Sequence, residues 1–380
     1  MSGLSAMTAD SDAAPHSANR FANSFAQSYA EARSKFLAAA RAAGLAVESH
    51  AHPLAGRDGE PLAMDVARFG AADATSLLIV SSACHGVEGF CGSGVQHALL
   101  TDPAWHAQAA AAGVAVLYIH ALNPHGFSWW RRVTQENVDL NRNFHDFTAA
   151  LPRNAGYDEL AAYLVPDVWP PTPGNEAHVA AFIAKNGDKG FQAAVSGGQH
   201  DHPQGLFFGG RAPTWSNATF RAVLRQHARQ CQRIGWIDLH TGLGPNGHGE
   251  LIYAGRDDAA TVALARAWWG PQVTSIYDGT STSAPLTGLM CAAVYEECPQ
   301  AVYTGIALEY GTLPTQEVIH ALRADHWLHA HPEASEEQRR AIKQQVRDAF
   351  YIDTDVWKRQ IVEQGFVAAR AAAVGLESLG

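Results

Sequence analysis

Short apolar runs alternate along this chain with longer stretches in which apolar residues recur every three or four positions. The runs at 77–82, 114–120, 235–240 and 304–312 are too short for helices and are bounded by small or polar residues, which predicts buried strands. Residues 47–52 and 62–69 alternate apolar and polar side chains and predict two antiparallel strands at a sheet edge. Residues 191–196, 250–254 and 273–277 read as further strands. Helical spacing is carried by Phe21, Phe25, Tyr29, Phe36 and Leu37 over 20–43, ending near Gly44. Further helices are expected over about 92–112, 175–185, 215–231, 257–269, 336–350 and 355–373. Pro152, Pro166, Pro170, Pro171 and Pro173 predict a long loop with at most one short helix, at 158–163, and 197–210 is a glycine-rich turn region. Strands alternating with helices throughout predict one α/β domain whose sheet is covered on both faces. No internal repeat or linker divides it, so residues 19–380 are expected to form a single catalytic domain, with loop insertions around 145–175 and 197–214 lying over the strand ends.

Composition narrows the function. With 47% hydrophobic and 17% charged residues the chain is an ordinary globular protein. A net charge of −10 argues against nucleic acid, which needs a basic face, and against a polybasic membrane contact. No apolar run reaches the roughly 18 residues of a membrane span. Residues 1–18 are rich in Ala and Ser, contain Asp10 and Asp12 and lack an apolar core, so a disordered leader is expected there rather than a targeting signal. The five cysteines are an odd number scattered along the chain; they form no disulfide framework and predict a reducing, cytoplasmic setting.

The chemistry gathers at strand ends, where ligands sit in open α/β sheets. His85 and Glu88 follow the run at 77–82, His240 ends the run at 235–240, and Glu309 lies in the run at 304–312. Two histidines and a glutamate suit a catalytic zinc with a fourth position left for water, one ion per chain. Zinc lowers the pKa of such a water to about 7, and Glu309 is the natural group to take its proton. Arg131, Arg132 and Arg142 cluster in an otherwise acidic chain and suit an oxyanion or a substrate carboxylate. Each signal has a plainer reading. A lone His-x-x-Glu is common, Arg131 and Arg132 would serve as a solvated pair, and Glu309 could pair with a basic residue in the core. His200 and His202 are rival ligands, and Cys84 and Cys91 bracket the His85/Glu88 pair, although free cysteine usually packs as a small hydrophobe.

Taken in order, His85-x-x-Glu88, Asn123-Pro-His-Gly, Asp139-Leu-Asn-Arg-Asn-Phe144, Ile237-Asp-Leu-His240 and Leu308-Glu309-Tyr-Gly resemble the motifs of the zinc carboxypeptidase superfamily. That superfamily includes the aspartoacylase and succinylglutamate desuccinylase branch, and the chain is most similar to a bacterial carboxypeptidase-like branch. The resemblance spans about residues 76–312. It implies a three-layer α/β/α domain with a mixed, largely parallel central sheet. It also implies zinc on His85, Glu88 and His240, Glu309 as general base and acid, and Asn141 with Arg142 gripping a substrate carboxylate. Arg131 or Arg132 would match the arginine that polarises the scissile carbonyl, Arg132 being favoured and Arg131 then assisting substrate binding. For the tyrosine that classical members place over the substrate, Tyr253, Tyr277, Tyr295 and Tyr303 are candidates.

The expected function is therefore hydrolysis of an amide bond beside a free carboxylate, as in a carboxypeptidase-like peptidase or an N-acyl amino acid deacylase. The expected partners are a small-molecule or peptide substrate with a carboxylate, with room for a homo-oligomer but with no nucleic acid and no membrane. A non-catalytic metal- or carboxylate-binding protein on the same fold is the alternative, and retention of Glu309 beside three ligands argues against it. A serine hydrolase is a weaker rival, because Ala194-Val-Ser196-Gly-Gly lacks the first glycine of a nucleophile elbow.

Overall fold

A computed structural model describes residues 21–378; the expected leader at 1–18 lies outside them. Seven strands form one mixed sheet: β1 (Val47–Ala55), β2 (Pro61–Phe69), β3 (Ser76–Ser82), β4 (Val114–His120), β5 (Arg233–Asn246), β6 (Gly249–Tyr253) and β7 (Val302–Gly311). Their order across the sheet is β1-β2-β4-β3-β5-β7-β6. The four central strands β4, β3, β5 and β7 are parallel, while β1, β2 and β6 are antiparallel at the two edges. The expected mixed, largely parallel sheet is thus present, as is the antiparallel pair at its edge.

Helices cover both faces: α1 (Tyr29–Ala42), α2 (Gly89–Leu100), α3 (Pro103–Ala111), α4 (Pro124–Ser128), α5 (Ala155–Leu164), α6 (Pro173–Ser196), α7 (Trp215–His227), α8 (Ala259–Trp269), α9 (Ala292–Glu297), α10 (Thr315–Ala330), α11 (Glu336–Phe350) and α12 (Asp355–Glu377). Alternation along the strands divides the interior in two. Leu78 and Val80 of β3 join Leu239 and Leu308 in a core shared with α1, α2 and α12, whereas Leu77 and Ile79 join Trp236 and Tyr303 in a core closed by α7 and α9. No described helix is long and apolar enough to cross a membrane.

Several elements depart from the sequence expectation for identifiable reasons. The helix expected over 92–112 is two helices, because Asp102 caps the backbone N–H groups of Ala104 and Trp105 and Pro103 opens a new first turn. The strand expected at 191–196 is the last part of α6, which bends at Gly187 (φ 73°); a short apolar run does not distinguish a strand from a buried helical segment. Residues 273–277 form no strand and touch the sheet through one isolated bridge, Ile252 to Thr274. Helix α10 was not expected at all. It starts after Pro314 without a side-chain cap, and it buries Arg323, Asp325 and His326, charged and polar side chains that interrupt the apolar spacing of Val318, Ala321, Leu322 and Leu328.

Candidate metal centre

The parallel pairing of β3 with β5 and of β5 with β7 carries three strand ends to one place, with His240 opposite Glu309 in register. Beyond β3 the chain turns through Ala83, which holds a left-handed φ of 56° that a non-glycine residue adopts only under constraint. Next, Gly86 lies so close to Gly126 that a Cβ would fall 2.1 Å from the Gly126 carbonyl carbon. Gly86 N–H donates to Arg132 O (3.0 Å) and Val87 N–H to Arg131 O (2.9 Å), fastening the His85 loop to the arginine loop. The tight turn Gly86–Glu88 then aims Glu88 back at His85.

His85, Glu88 and His240 converge, with ligand atoms all within 4.8 Å of one another and all three residues buried. His85 Nδ1 lies 3.1 Å from Glu88 Oε1, His240 Nδ1 lies 3.3 Å from Glu88 Oε2, and the two Nδ1 atoms are 3.3 Å apart. Each histidine has a carboxylate behind it: Asp238 Oδ2 is 2.5 Å from His240 Nε2, and Asp139 Oδ1 is 3.2 Å from His85 Nε2. Asp238 orients the His240 ring from the rear and turns Nδ1 toward Glu88, while the rear nitrogen of His85 is shared by Asp139 and by Arg132 Nη2, 2.9 Å away. Two forward nitrogens and a carboxylate facing one another at about 3 Å form a donor set that a divalent cation fits, and these residue types suit zinc. Asp139 and Asp238 were not singled out from sequence, although Asp238 and His240, two apart on a strand, must share a face. Cys84 comes within the same reach of Asp238 and His240, but burial and the charge of Asp238 push its thiol well above its usual value.

Arg132 enters this cluster, with Nη1 donating to Glu88 Oε1 (2.6 Å) and Nε to Asp139 Oδ2 (3.1 Å). Arg131 does not, which corrects the expectation that it binds substrate. Its side chain points the other way, with Nε donating to Asp325 (2.9 Å) and Nη2 to Asn137 (2.8 Å). Asn141 and Arg142 do line the same cavity as His85, Arg132, His240 and Glu309. Arg142 commits Nε and one N–H of Nη2 to Ser196 O and one N–H of Nη1 to Asn141 O, so one N–H on each terminal nitrogen is left over. His200 and His202 bond Gly210 O and Asp158 and take no part in the cluster. Of the four tyrosines, Tyr253 lines the cavity, with its hydroxyl engaged by Arg256 O and Thr261.

Glu309 makes no ion pair with a basic side chain among the described residues; its Oε1 accepts the Leu243 N–H (3.0 Å). Burial, reinforced by the charge of Glu88, raises its pKa from 4.5 to about 8. A carboxyl raised on folding adds stability below its unfolded value that is lost as the pH rises through the folded one. Metal-free wild type is therefore expected to lose melting temperature relative to Glu309→Gln between about pH 4.5 and 8. Parallel melting curves against pH would contradict this. Away from the polar cluster the cavity is lined by Trp236, Ile252, Ile276, Leu286, Leu289 and Met290.

Comparison with solved structures places the fold. Bovine thrombin-activatable fibrinolysis inhibitor in complex with tick carboxypeptidase inhibitor superposes with a TM-score of 0.51 at 10% identity, covering 94% of this chain and 99% of that one. Another structure of thrombin-activatable fibrinolysis inhibitor gives 0.50 at 12% identity, covering 92% and 74%. A metallo-carboxypeptidase from Burkholderia cenocepacia gives 0.40 at 11% identity, covering 91% and 68%. At these identities the likeness concerns the fold alone. No protein with a curated description matches the chain. A family profile matches residues 25–364, and the chain belongs to that family, described as "Protein of unknown function (DUF2817)".

Proposed function

We propose that this protein is a zinc-dependent hydrolase that cleaves an amide bond beside a free carboxylate, working in the cytoplasm on a peptide or an N-acyl amino acid. The observation that carries this reading is a buried glutamate without a basic partner, Glu309, lining one cavity with the His85 and His240 rings of the His/Glu/His donor set. When bound by His85, Glu88 and His240, zinc would supply Lewis-acid polarisation of the scissile carbonyl and acidify a water. Glu309 would take a proton from the attacking water and return it to the leaving amine, a role its raised pKa suits. Arg132 holds a guanidinium beside the donor set, where negative charge develops on the carbonyl oxygen.

The two uncommitted N–H groups of Arg142 can grip a carboxylate through both oxygens, with Asn141 beside them. The apolar lining of the cavity favours an apolar group next to that carboxylate. The reading is tested by metal analysis together with a hydrolysis screen of peptides and N-acyl amino acids. Stoichiometric zinc that is lost in His85→Ala, with turnover of at least one carboxylate substrate, is the expected result. Tight binding without turnover across the screen would instead indicate a binding protein. Arg142→Met is expected to raise KM for the carboxylate substrate roughly 10- to 100-fold, the equivalent of about 1.5–3 kcal/mol for hydrogen bonds to a charged group. An unchanged KM would remove Arg142 from substrate binding.

A further inference from the structure

Behind His240 a line of hydrogen bonds runs to the cavity wall. Trp236 Nε1 donates to Ser81 Oγ (2.7 Å), Ser81 Oγ donates to Asp238 Oδ1 (2.5 Å), and Asp238 Oδ2 faces His240 Nε2 (2.5 Å). All four residues are buried. The sheet builds the line: Trp236, Asp238 and His240 occupy alternate positions of β5 and share one face, and Ser81 of β3 stands opposite Asp238 in register.

We infer that Ser81 and Trp236 are positioning residues that hold Asp238, and through it the His240 ring, in the orientation the metal centre needs, and thereby set its metal affinity. An indole N–H can donate and cannot accept, so Ser81 Oγ must be the acceptor in its bond with Trp236. The single hydroxyl proton of Ser81 is then directed to Asp238. Asp238 accepts at its second oxygen from His240 Nε2–H. The rear edge of the ring is held in this way, and Nδ1 is turned toward Glu88 and His85 Nδ1. Because Trp236 also lines the substrate cavity, the wall that packs against substrate and the ligand that faces the metal are joined by one chain of bonds.

This inference rests on the proposed metal centre, and the experiment separates the two. Zinc affinity is measured by competition with a chelating dye for wild type, Ser81→Ala, Ser81→Thr, Ser76→Ala and His240→Ala. Ser81→Ala is expected to weaken zinc binding roughly 10- to 100-fold, the range seen when outer partners of metal-bound histidines are lost. Ser81→Thr, which keeps the hydroxyl, should restore it. Ser76 is buried on the same strand and accepts from Arg233 Nε (2.8 Å), so Ser76→Ala controls for a structural loss and should leave affinity unchanged. Weakened binding in His240→Ala with wild-type binding in Ser81→Ala overturns the relay alone. Unchanged binding in both overturns the centre and the relay together.

Discussion

Replacing Asp325 by alanine is expected to destabilise the fold by about 3–5 kcal/mol, the usual cost of removing one partner from a buried ion pair. Asp325 is 1% exposed and accepts from Arg131 Nε (2.9 Å) and Lys343 Nζ (2.5 Å). Burial alone would raise its pKa, yet the charges of Lys343 and Arg131 hold it well below the usual carboxylate range. Without it, the buried Arg131 guanidinium and the half-buried Lys343 ammonium face each other without the carboxylate that joins them, and Arg131 already has one terminal nitrogen without a partner among the described residues. A carboxyl depressed on folding contributes stability above its unfolded value near 3.8 that is lost as the pH falls through the folded one. Chemical denaturation at neutral pH should therefore show the full difference, and the gap between wild type and variant should narrow on acidification. A loss below about 1 kcal/mol, the scale of an exposed pair, would contradict this account.

The second large effect concerns Glu309→Gln, for which kcat should fall by roughly 10²–10⁴, the usual contribution of a positioned acid–base group. Glutamine preserves the volume and can still accept the Leu243 N–H, but it cannot take a proton from water. Metal content and melting temperature near neutral pH are expected to survive, so the loss appears in kcat rather than in folding. Full activity with metal bound would eliminate Glu309 as the base. Activity lost together with metal would make Glu309 part of the donor set instead.

Strand-end chemistry was legible in the sequence because His85 just after one short apolar run, His240 at the end of another and Glu309 within a third are local patterns. Their meeting was not, since it depends on β3, β5 and β7 being neighbours although residues of β4 and several helices intervene in the chain. Arg131 and Arg132 show the limit most plainly. An irregular loop has no period, so sequence spacing does not say which of two adjacent side chains faces the cavity. The left-handed Trp130 (φ 52°) and the bonds from Gly86 and Val87 to the two arginine carbonyls orient the pair. Helix α10 stayed hidden because its buried Arg323 and Asp325 read as surface residues until Glu176 and Arg131 are seen across from them. Asp139 and Asp238 were visible as letters within motifs, but their orienting role exists only once the histidines stand in front of them.

The spacing of the three metal donors also bears on how the protein matures. His85 and Glu88 are three residues apart, whereas His240 lies 155 residues further on. During synthesis the nascent chain exposes a two-donor fragment long before the third donor emerges. Contacts of such long range form late in folding, after much loop-closure entropy has been overcome. On the proposed zinc reading, capture of the ion by all three donors would report completed β3–β5 pairing, and metal supply and fold completion would be linked within a single chain.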